Sequence, residues 1–321
     1  MCCSRSLRSV VEHRLRPSVD ADAAQGLSMG LQKSLKKRFK ALCFRTLRTW
    51  VQRGELRPFS IDGDGIWFQT DHGFSVWWNT ADRICDLDRF GVWEEMETRL
   101  LERLLEPGGV LVDVGANIGY FSLLAAKLGA ARVISFEPCP NTHDMLLRNV
   151  AYNGFGSVIA AWKTALGDSE GELRFTVDRG PKNYVVSQPT PDSDRQCIVS
   201  VPVTTLDAFT AAHPLDRIDV LKVDIEGYEE RFLRGAAGTL GRLRPPVMME
   251  VQENLLGRHG SAPQAVFNLM TELGYRWMCV TDKSVLPPDP ACDAVHAGRD
   301  FLFYHRQAEE RILHAVADCN K

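Results

Sequence analysis

The sequence predicts an α/β fold in which a mostly parallel, twisted sheet is covered by helices on both faces. From Val110 onward, short apolar runs alternate with stretches of helical periodicity, a pattern typical of parallel strands joined by right-handed crossovers. The apolar runs lie at 110–114, 132–136, 158–162, 218–223, 247–251, 275–280 and 300–304. Because such sheets bind ligands beyond the C-terminal ends of their strands, we expect functional residues directly after these runs.

Composition agrees with this class and excludes several others. The chain has 321 residues, of which 45% are hydrophobic and 25% are charged, which argues against collagen-like, low-complexity and wholly disordered proteins. The nine cysteines include no C-x-x-C pair, so a disulfide scaffold, a zinc ribbon or a thioredoxin-type site has no support. No secretory signal or bilayer-spanning apolar run is visible, and we expect a cytoplasmic protein.

Periodicity divides the chain into four predicted segments. Residues 1–26 are expected to form a disordered arm, and 27–90 an extension that contains an amphipathic helix and a β-hairpin. The predicted main domain covers 91–306, and a helical tail follows at 307–321.

The first 57 residues are basic, in contrast to the rest of the chain. They hold 13 Lys and Arg residues against 4 acidic residues, whereas the whole chain has a formal net charge of -3. Apolar residues between Leu31 and Trp50 recur at helical spacing with lysines between them, which predicts a helix with a cationic face. We expect its apolar face to pack on the main domain; docking on a membrane surface or on RNA is the alternative.

A β-hairpin is predicted next, from the runs 66–70 and 74–80 around Asp71-His72-Gly73. Alternation along a strand predicts that one ring of the Trp77-Trp78 pair joins the core and that the N-terminal helix covers the other. Stacking of these rings on a substrate is the less favoured interpretation. A helix is then predicted from Trp93 to Leu105.

The segment VLVDVGANIGYFSLLAAKLG (110–129) predicts a ligand-binding loop after the first strand of the main domain. Gly115 and Gly119 bracket a tight turn, where glycine permits positive φ and close approach of a ligand to the backbone. A dinucleotide fingerprint would require glycine where Asn117 and Tyr120 stand, so that fingerprint fails. Asp113 would repel a pyrophosphate and suits a ligand with a cationic amino group.

A second acidic residue, Glu137, ends the next strand 24 residues after Asp113. An acid at this place can accept hydrogen bonds from both ribose hydroxyls. Alone, it would equally be a helix N-terminal charge. Together with Asp113 and the glycine turn, it indicates a nucleoside with an amino-acid tail, which S-adenosylmethionine matches better than NAD, FAD or ATP.

Lys222, Asp224 and Glu226 occupy alternate positions around the end of a later strand, so they are expected to point the same way. A structural interpretation is an ion pair between Lys222 and Asp224, with Glu226 capping the next helix. The functional interpretation is that the three residues orient and deprotonate an acceptor. Glu250 and Glu253 would add acidic residues at the same rim.

These motifs, in this order and spacing, resemble the FkbM family of S-adenosylmethionine-dependent methyltransferases. The similarity runs from about residue 94 to 304 and rests on VDVGANIGYFSLLAAKLG, ISFEPCPNTHDMLLRNV, ALGDSEGELRF, VPVTTLDAF and LKVDIEGYEERFLRGA. It implies a class I methyltransferase (Rossmann-like) sheet of seven strands and O-methylation of a hydroxyl on a sugar or polyketide-like small molecule.

The resemblance also implies roles for single residues. The implied ligands of the methionine end of S-adenosyl-L-methionine are Asp113, Gly115, Asn117 and Gly119. Glu137 would hold the ribose, and the residues implied near the adenine are Ala165, Leu166 and Asp168. The implied catalytic residues facing the acceptor are Lys222, Asp224 and Glu226. Family members often carry a histidine where this chain has Gln252, so the base is assigned to Asp224 or Glu226.

Three alternatives stay open at this point. Asp224, Glu226 and Glu250 could hold Mg²⁺ that acidifies the acceptor hydroxyl, although we expect no metal. A nucleic-acid methyltransferase could use the basic arm, but the D/N-P-P-Y/F motif is missing and the catalytic body is acidic, so we expect no stable nucleic-acid partner. A cofactor-binding protein without activity is the third alternative.

Overall fold

The computed structural model describes residues 59–63, 65–79, 91–177, 183–186, 197–287 and 299–321. All of them belong to the unit Arg57–Lys321, one of the two units into which the chain divides. The predicted arm and amphipathic helix lie outside the described residues. No described helix is long and apolar enough to cross a membrane.

Strands and helices alternate through most of the described chain. The strands are β1 (Phe59–Asp62), β2 (Gly65–Gln69), β3 (Ser75–Asn79), β4 (Val110–Val114), β5 (Arg132–Phe136), β6 (Ile159–Trp162), β7 (Ala165–Leu166), β8 (Gly171–Thr176), β9 (Ile198–Thr204), β10 (Val220–Val223), β11 (Val247–Val251), β12 (Tyr275–Val280), β13 (Val285–Leu286) and β14 (Arg299–His305). The α-helices are α1 (Glu95–Leu104), α2 (Tyr120–Lys127), α3 (Pro140–Tyr152), α4 (Leu206–Ala212), α5 (Glu229–Leu243), α6 (Glu253–Leu256), α7 (Pro263–Glu272) and α8 (Glu309–Cys319).

The main sheet has the strand order β13-β12-β14-β11-β10-β4-β5-β6. The five strands from β11 to β6 are parallel, whereas β14 and β12 pair antiparallel. All seven apolar runs form strands of this sheet, so the predicted class I methyltransferase architecture is confirmed; the two-residue β13 adds an edge. The chain leaves β4 towards β5 and β6 and returns to β10 on the other side of β4. This reversal opens a crevice at the C-terminal ends of β4 and β10.

Helices cover both faces of the sheet because successive side chains of a strand point to opposite faces and both sets are largely apolar. Leu111 of β4 packs into a core with α1, α2, α3 and α8, whereas its neighbour Val112 packs into the opposite core with α4, α5 and α7. The C-terminal residues are part of the first core: Ile312 of α8 is fully buried, and Arg311 donates to the Leu104 carbonyl at 2.6 Å.

An antiparallel sheet of β1, β2 and β3 precedes the main domain, and the predicted hairpin is its β2–β3 pair. Trp67 and Trp77 stand opposite each other in this pair, and the Arg148 guanidinium of α3 lies 4.0 Å from the Trp77 ring centroid. Trp78 joins the core of α1 and α2, as expected for one ring of the pair. The predicted cover of the other ring, the N-terminal helix, lies outside the described residues.

Candidate active site

A cavity of about 440 Å³ opens beyond the C-terminal ends of β4, β5, β10 and β11. The sequence-predicted residues in its wall are Asp113, Gly115, Asn117, Glu137, Ala165, Leu166, Lys222, Asp224 and Glu226. Gly119 and Asp168 are not among the residues that line it. Strands far apart in sequence therefore bring most of the predicted cofactor and acceptor residues to one place.

Gly115 fixes the distance between the glycine loop and the end of β10. Its φ is +82°, and a Cβ at this position would lie 1.8 Å from the Asp224 carbonyl oxygen. Only glycine tolerates both the left-handed conformation and this close approach. Gly119 has a φ of +92° and packs closely against Leu146 of α3, because a Cβ at this position would lie 2.3 Å from Leu146 Cδ1. Gly119 thus allows the loop to pack against α3, although it does not line the cavity.

Glu137 is held by the backbone of two loops. Its Oε2 accepts from the Asn117 N–H at 2.9 Å, and its Oε1 accepts from the Cys139 N–H at 2.8 Å. Burial raises the pKa of Glu137 to about 7, even though both hydrogen bonds favour the ionised form. Each carboxylate oxygen has a second lone pair, so both oxygens can accept further hydrogen bonds.

Asp113 lies deep in the cavity wall and is 2% exposed. Its Oδ2 accepts from the Ser122 hydroxyl at 2.5 Å, and the Ser122 and Ser135 hydroxyls are 2.7 Å apart. Burial raises the pKa of Asp113, while the Lys222 ammonium and the Ser122 hydroxyl oppose that rise. The chain of hydroxyls ties the end of β4 to α2 and to β5.

Lys222 is the buried cation of the site. Its Nζ donates to Asp224 Oδ2 at 3.1 Å and lies 4.5 Å from the centroid of the Phe121 ring. Burial alone would lower the pKa of Lys222, but the carboxylates of Asp224, Glu94 and Asp113 raise it above its usual range. Lys222 therefore stays charged, and Asp224, which is only half-buried, is held beside it.

Glu226 follows β10 in a turn that requires unusual backbone angles. Its φ is +56°, and the next residue, Gly227, has φ +103° with its Cα packed against the backbone of Leu255. The helix α5 begins after Tyr228, whose own side chain makes no capping hydrogen bond. The turn presents Glu226 at the cavity wall.

Carboxyl groups crowd the side of the cavity next to β10. Burial and repulsion from Asp224 and Asp300 raise the pKa of Glu250 to about 9, and its Oε1 accepts from Gln252 Nε2. Loss of solvation and repulsion from Asp224 and Asp300 raise the pKa of Glu94 to about 7, although the residue as a whole is exposed. Glu253 of α6 is exposed and does not line the cavity.

Ala165 and Leu166 form β7 and are buried in the cavity wall. Asp168 lies two residues further along, where its Oδ2 accepts from the Arg231 guanidinium at 2.7 Å. The structure thus brings the implied adenine neighbours Ala165 and Leu166 into the cavity and leaves Asp168 in an ion pair beside it.

Sequence reasoning missed part of the wall. Trp78, Trp93 and Glu94 reach the cavity from upstream of the main sheet, and Asn254 and Arg258 reach it from the segment after β11. The WWN and VWEE stretches carry no motif that distinguishes wall residues from core residues. Among the described residues, no group of three or more His, Cys, Asp or Glu side chains is arranged to hold a metal ion.

Relatives of known family were found for the part of the chain that builds this cavity. The family model described as Methyltransferase FkbM domain matches residues 113–277, just over half of the chain. Methyltransferase sdnD of Sordaria araneosa is 31% identical over 171 residues, which cover 44% of this chain and 66% of sdnD. The chain thus spans just under two thirds of that relative.

Two further proteins are similar to parts of this chain. Hexuronic acid methyltransferase AglP of Haloferax volcanii is 29% identical over 199 residues, 60% of this chain and 76% of AglP. The crystal structure of methyltransferase FkbM from Methylobacillus flagellatus KT aligns with 61% of this chain and 44% of that chain, at 20% identity and a TM-score of 0.40. With the family match across β4 to β12, this chain belongs to the FkbM family of methyltransferases.

Proposed function

We propose that the protein transfers the methyl group of S-adenosyl-L-methionine to a hydroxyl group of a small molecule or glycan. The observation that carries the proposal is the contact of Gly115 with Asp224, whose carbonyl oxygen a Cβ would meet at 1.8 Å. The loop expected to hold the methionine end and the residues expected to face the acceptor therefore share one cavity wall.

The charge of the cavity supports this cofactor. The acidic residues in its described wall are Glu94, Asp113, Glu137, Asp224, Glu226 and Glu250, and the cationic ones are Lys222 and Arg258. Glu250, with a pKa of about 9, is protonated near neutral pH, but the remaining acidic residues still outnumber the cationic ones. Their negative charge attracts the sulfonium and ammonium groups of S-adenosylmethionine and repels the pyrophosphate of a dinucleotide. Glu137, with an unused lone pair on each oxygen, suits the two ribose hydroxyls.

Asp224 is the proposed base. Lys222 holds one of its oxygens at 3.1 Å, which fixes the carboxylate at the cavity wall. The acceptor oxygen attacks the methyl carbon, the bond from that carbon to sulfur breaks, and the electron pair stays on sulfur as a neutral thioether. The hydroxyl proton passes to Asp224 as the new bond forms. The cofactor supplies the electrophile, so this chain's residues position both reactants and accept one proton.

The acceptor class is supported by the rest of the wall. Trp78 and Trp93 offer aromatic faces, and Gln252 and Asn254 offer amide groups, a combination suited to polyhydroxylated ligands. The relative AglP is named a hexuronic acid methyltransferase, which points to the same chemistry.

The test uses S-adenosylmethionine with a labelled methyl group and a cell extract as the source of acceptors. We expect label in the small-molecule or glycan fraction. Asp224→Asn should lower turnover by about 100-fold or more, as loss of a general base does, and change cofactor affinity by less than about twofold. Glu253→Gln, an exposed acid outside the cavity wall, is the matched control and should retain activity.

Two outcomes would contradict the proposal. Equal losses of turnover and cofactor affinity in Asp224→Asn would remove Asp224 as the base. Label found in the nucleic-acid fraction would favour a nucleic-acid methyltransferase instead.

A further inference from the structure

In the turn after β10, the peptide group between Glu226 and Gly227 is held at both of its polar atoms. The Gly227 N–H donates to Glu229 Oε1 at 3.1 Å. Burial and nearby arginines lower the pKa of His259 to about 4, and a hydrogen bond with the Glu226 backbone opposes this change, as donation from the ring to the carbonyl does. Glu229 belongs to α5 and His259 to a short 3-10 helix after α6, so two separate segments fix one peptide group.

Glu229 is a buried carboxyl that the reaction described above does not use. It is 1% exposed, and it does not line the cavity. Its Oε2 has no hydrogen-bond partner among the described residues, which is costly for a buried polar atom. Its Oε1 accepts from the turn that presents Glu226 at the cavity wall, so this costly group acts on the acceptor side of the cavity.

The backbone of the turn needs such contacts. Glu226 has a φ of +56°, a left-handed conformation that a residue with a Cβ keeps only where its surroundings impose it. On the other side of the peptide, a Cβ at Gly227 would lie 2.3 Å from the Leu255 carbonyl oxygen. Burial raises the pKa of Glu250 most, and the Glu226 carboxylate adds to that rise, so these two side chains are near each other. The backbone angles of Glu226 thus direct its side chain to the acid-rich part of the wall.

We propose that Glu229 and His259 are positioning residues, which hold the Glu226–Gly227 peptide so that the Glu226 carboxylate accepts a hydrogen bond from the methyl acceptor. This rests on the proposed transfer of a methyl group to a hydroxyl. Neither positioning residue touches the reactants, since neither lines the cavity. The acceptor then contacts two carboxylates: Asp224, which Lys222 holds through its side chain, and Glu226, which is held through its backbone.

The test measures initial rates of methyl transfer from labelled S-adenosylmethionine at a limiting amount of cell extract, where the rate follows kcat/KM for the acceptor. Glu229→Ala removes the hydrogen-bond acceptor and should lower this rate about tenfold. Glu229→Gln keeps an oxygen that can accept from the Gly227 N–H and should retain at least about half of the rate. His259→Ala releases the other end of the peptide and should lower the rate about fivefold.

Two further measurements separate positioning from general stability. Calorimetry with S-adenosylhomocysteine should give affinities within about twofold of the unaltered protein for all three variants, because the glycine loop is intact. Glu226→Ala should itself lower the rate about tenfold, and adding Glu229→Ala to it should cost less than about twofold, because no carboxylate is left to position.

Glu230→Ala is the matched control. Glu230 lies in the same first turn of α5, but its Oε1 accepts from Arg234 at 2.6 Å instead of from the preceding turn. Its rate should stay within about twofold of the unaltered protein, as expected for an exposed ion pair.

The inference is overturned if Glu229→Ala or Glu226→Ala keeps the full rate, or if Glu229→Ala costs as much in the Glu226→Ala background as alone. It is also overturned if Glu229→Gln loses as much as Glu229→Ala, since the charge of Glu229 would then matter and not its hydrogen bond. If Glu229→Ala does not fold, a full rate in His259→Ala overturns it. Failure of the proposed function looks different: the unaltered protein would transfer no label to the small-molecule or glycan fraction, and the inference would fall with it.

Discussion

The two sides of the cavity differ in how they stabilise buried carboxylates. The loop side, formed by the ends of β4 and β5, holds Glu137 with two backbone N–H groups and Asp113 with the Ser122 hydroxyl. The acid side consists of the wall residues Glu94, Asp224 and Glu250, and the carboxyl groups of Glu97 and Asp300 interact with them from outside the wall. Burial and repulsion between carboxylates raise the pKa values of Glu94, Glu97, Glu250 and Asp300, and the Lys222 ammonium opposes this rise at Glu94, Glu97 and Asp300.

The loop side therefore has a fixed geometry, whereas the acid side has a net negative charge. Hydrogen bonds within the protein already satisfy the carboxylates of the loop side, which is therefore organised before a ligand binds. The acid side holds more negative charge than Lys222 compensates, so protons or a cationic ligand must supply the balance. A sulfonium next to this side would do so.

The largest effect is expected on the loop side, from Gly115→Ala. The new Cβ would meet the Asp224 carbonyl oxygen at 1.8 Å and would force a left-handed conformation on alanine. Strain and overpacking together should lower the free energy of unfolding by about 4 kcal/mol, measured by chemical denaturation. Gly241→Ala in α5, where a Cβ meets nothing within 4 Å, is the control and should not destabilise the protein. If Gly115→Ala lowers the free energy of unfolding as little as Gly241→Ala does, the loop is not constrained as described.

Lys222→Met is expected to have the next largest effect, because it removes the cation of the acid side. The carboxyl groups of Glu94 and Asp113 lose the cation that lowers their pKa values, so those values should rise. We expect a loss of stability of about 3 kcal/mol near neutral pH that becomes smaller as the pH falls and the carboxyls take up protons. Lys127→Met, on the exposed end of α2, is the control. A loss that does not depend on pH would contradict the charge-balancing role.

Glu250→Gln should have a smaller effect that depends on pH. The pKa of Glu250 is about 9 in the folded protein against 4.5 for a free glutamate, so the folded state holds its proton more tightly. Stability from this group is present below pH 4.5 and is lost as the pH rises towards 9. The variant should therefore match the unaltered protein at pH 4 and exceed its stability at pH 9, by on the order of 1 kcal/mol. Thermal unfolding of both proteins at pH 4 and pH 9 measures this difference in stability. Equal stability at pH 9 would contradict the raised pKa of Glu250 and its repulsion by neighbouring carboxylates.

The smallest effect is expected from Asp168→Asn. The Arg231 partner is more than half exposed, with 52% of its side chain accessible, and exposed ion pairs contribute under about 1 kcal/mol. Since Asp168 lies outside the cavity wall, binding of S-adenosylhomocysteine by calorimetry should change by less than about twofold. A larger loss of affinity would show that Asp168 contacts the adenine, as the family resemblance implies.

The loop side could be predicted from sequence and the acid side only in part. Gly115, Glu137 and Asp224 follow apolar strands directly, so the strand pattern and the parallel topology suffice to bring them together. Glu94 and Asp300 reach the same region from the start of α1 and from an antiparallel strand whose pairing with β11, Glu250 opposite Asp300, no local signal specifies. The position of Trp78 depends on the buried Asn149 amide, which bridges β3 and the glycine loop, a contact that only the folded chain reveals.

The central claim is that this cavity accepts a sulfonium nucleoside and no phosphate-bearing cofactor. Calorimetric titration of the full chain with S-adenosylmethionine and, separately, with NAD tests it directly. We predict saturable binding of S-adenosylmethionine with a 1:1 stoichiometry and no measurable heat of binding with NAD. Tight binding of NAD together with indifference to S-adenosylmethionine would contradict the account.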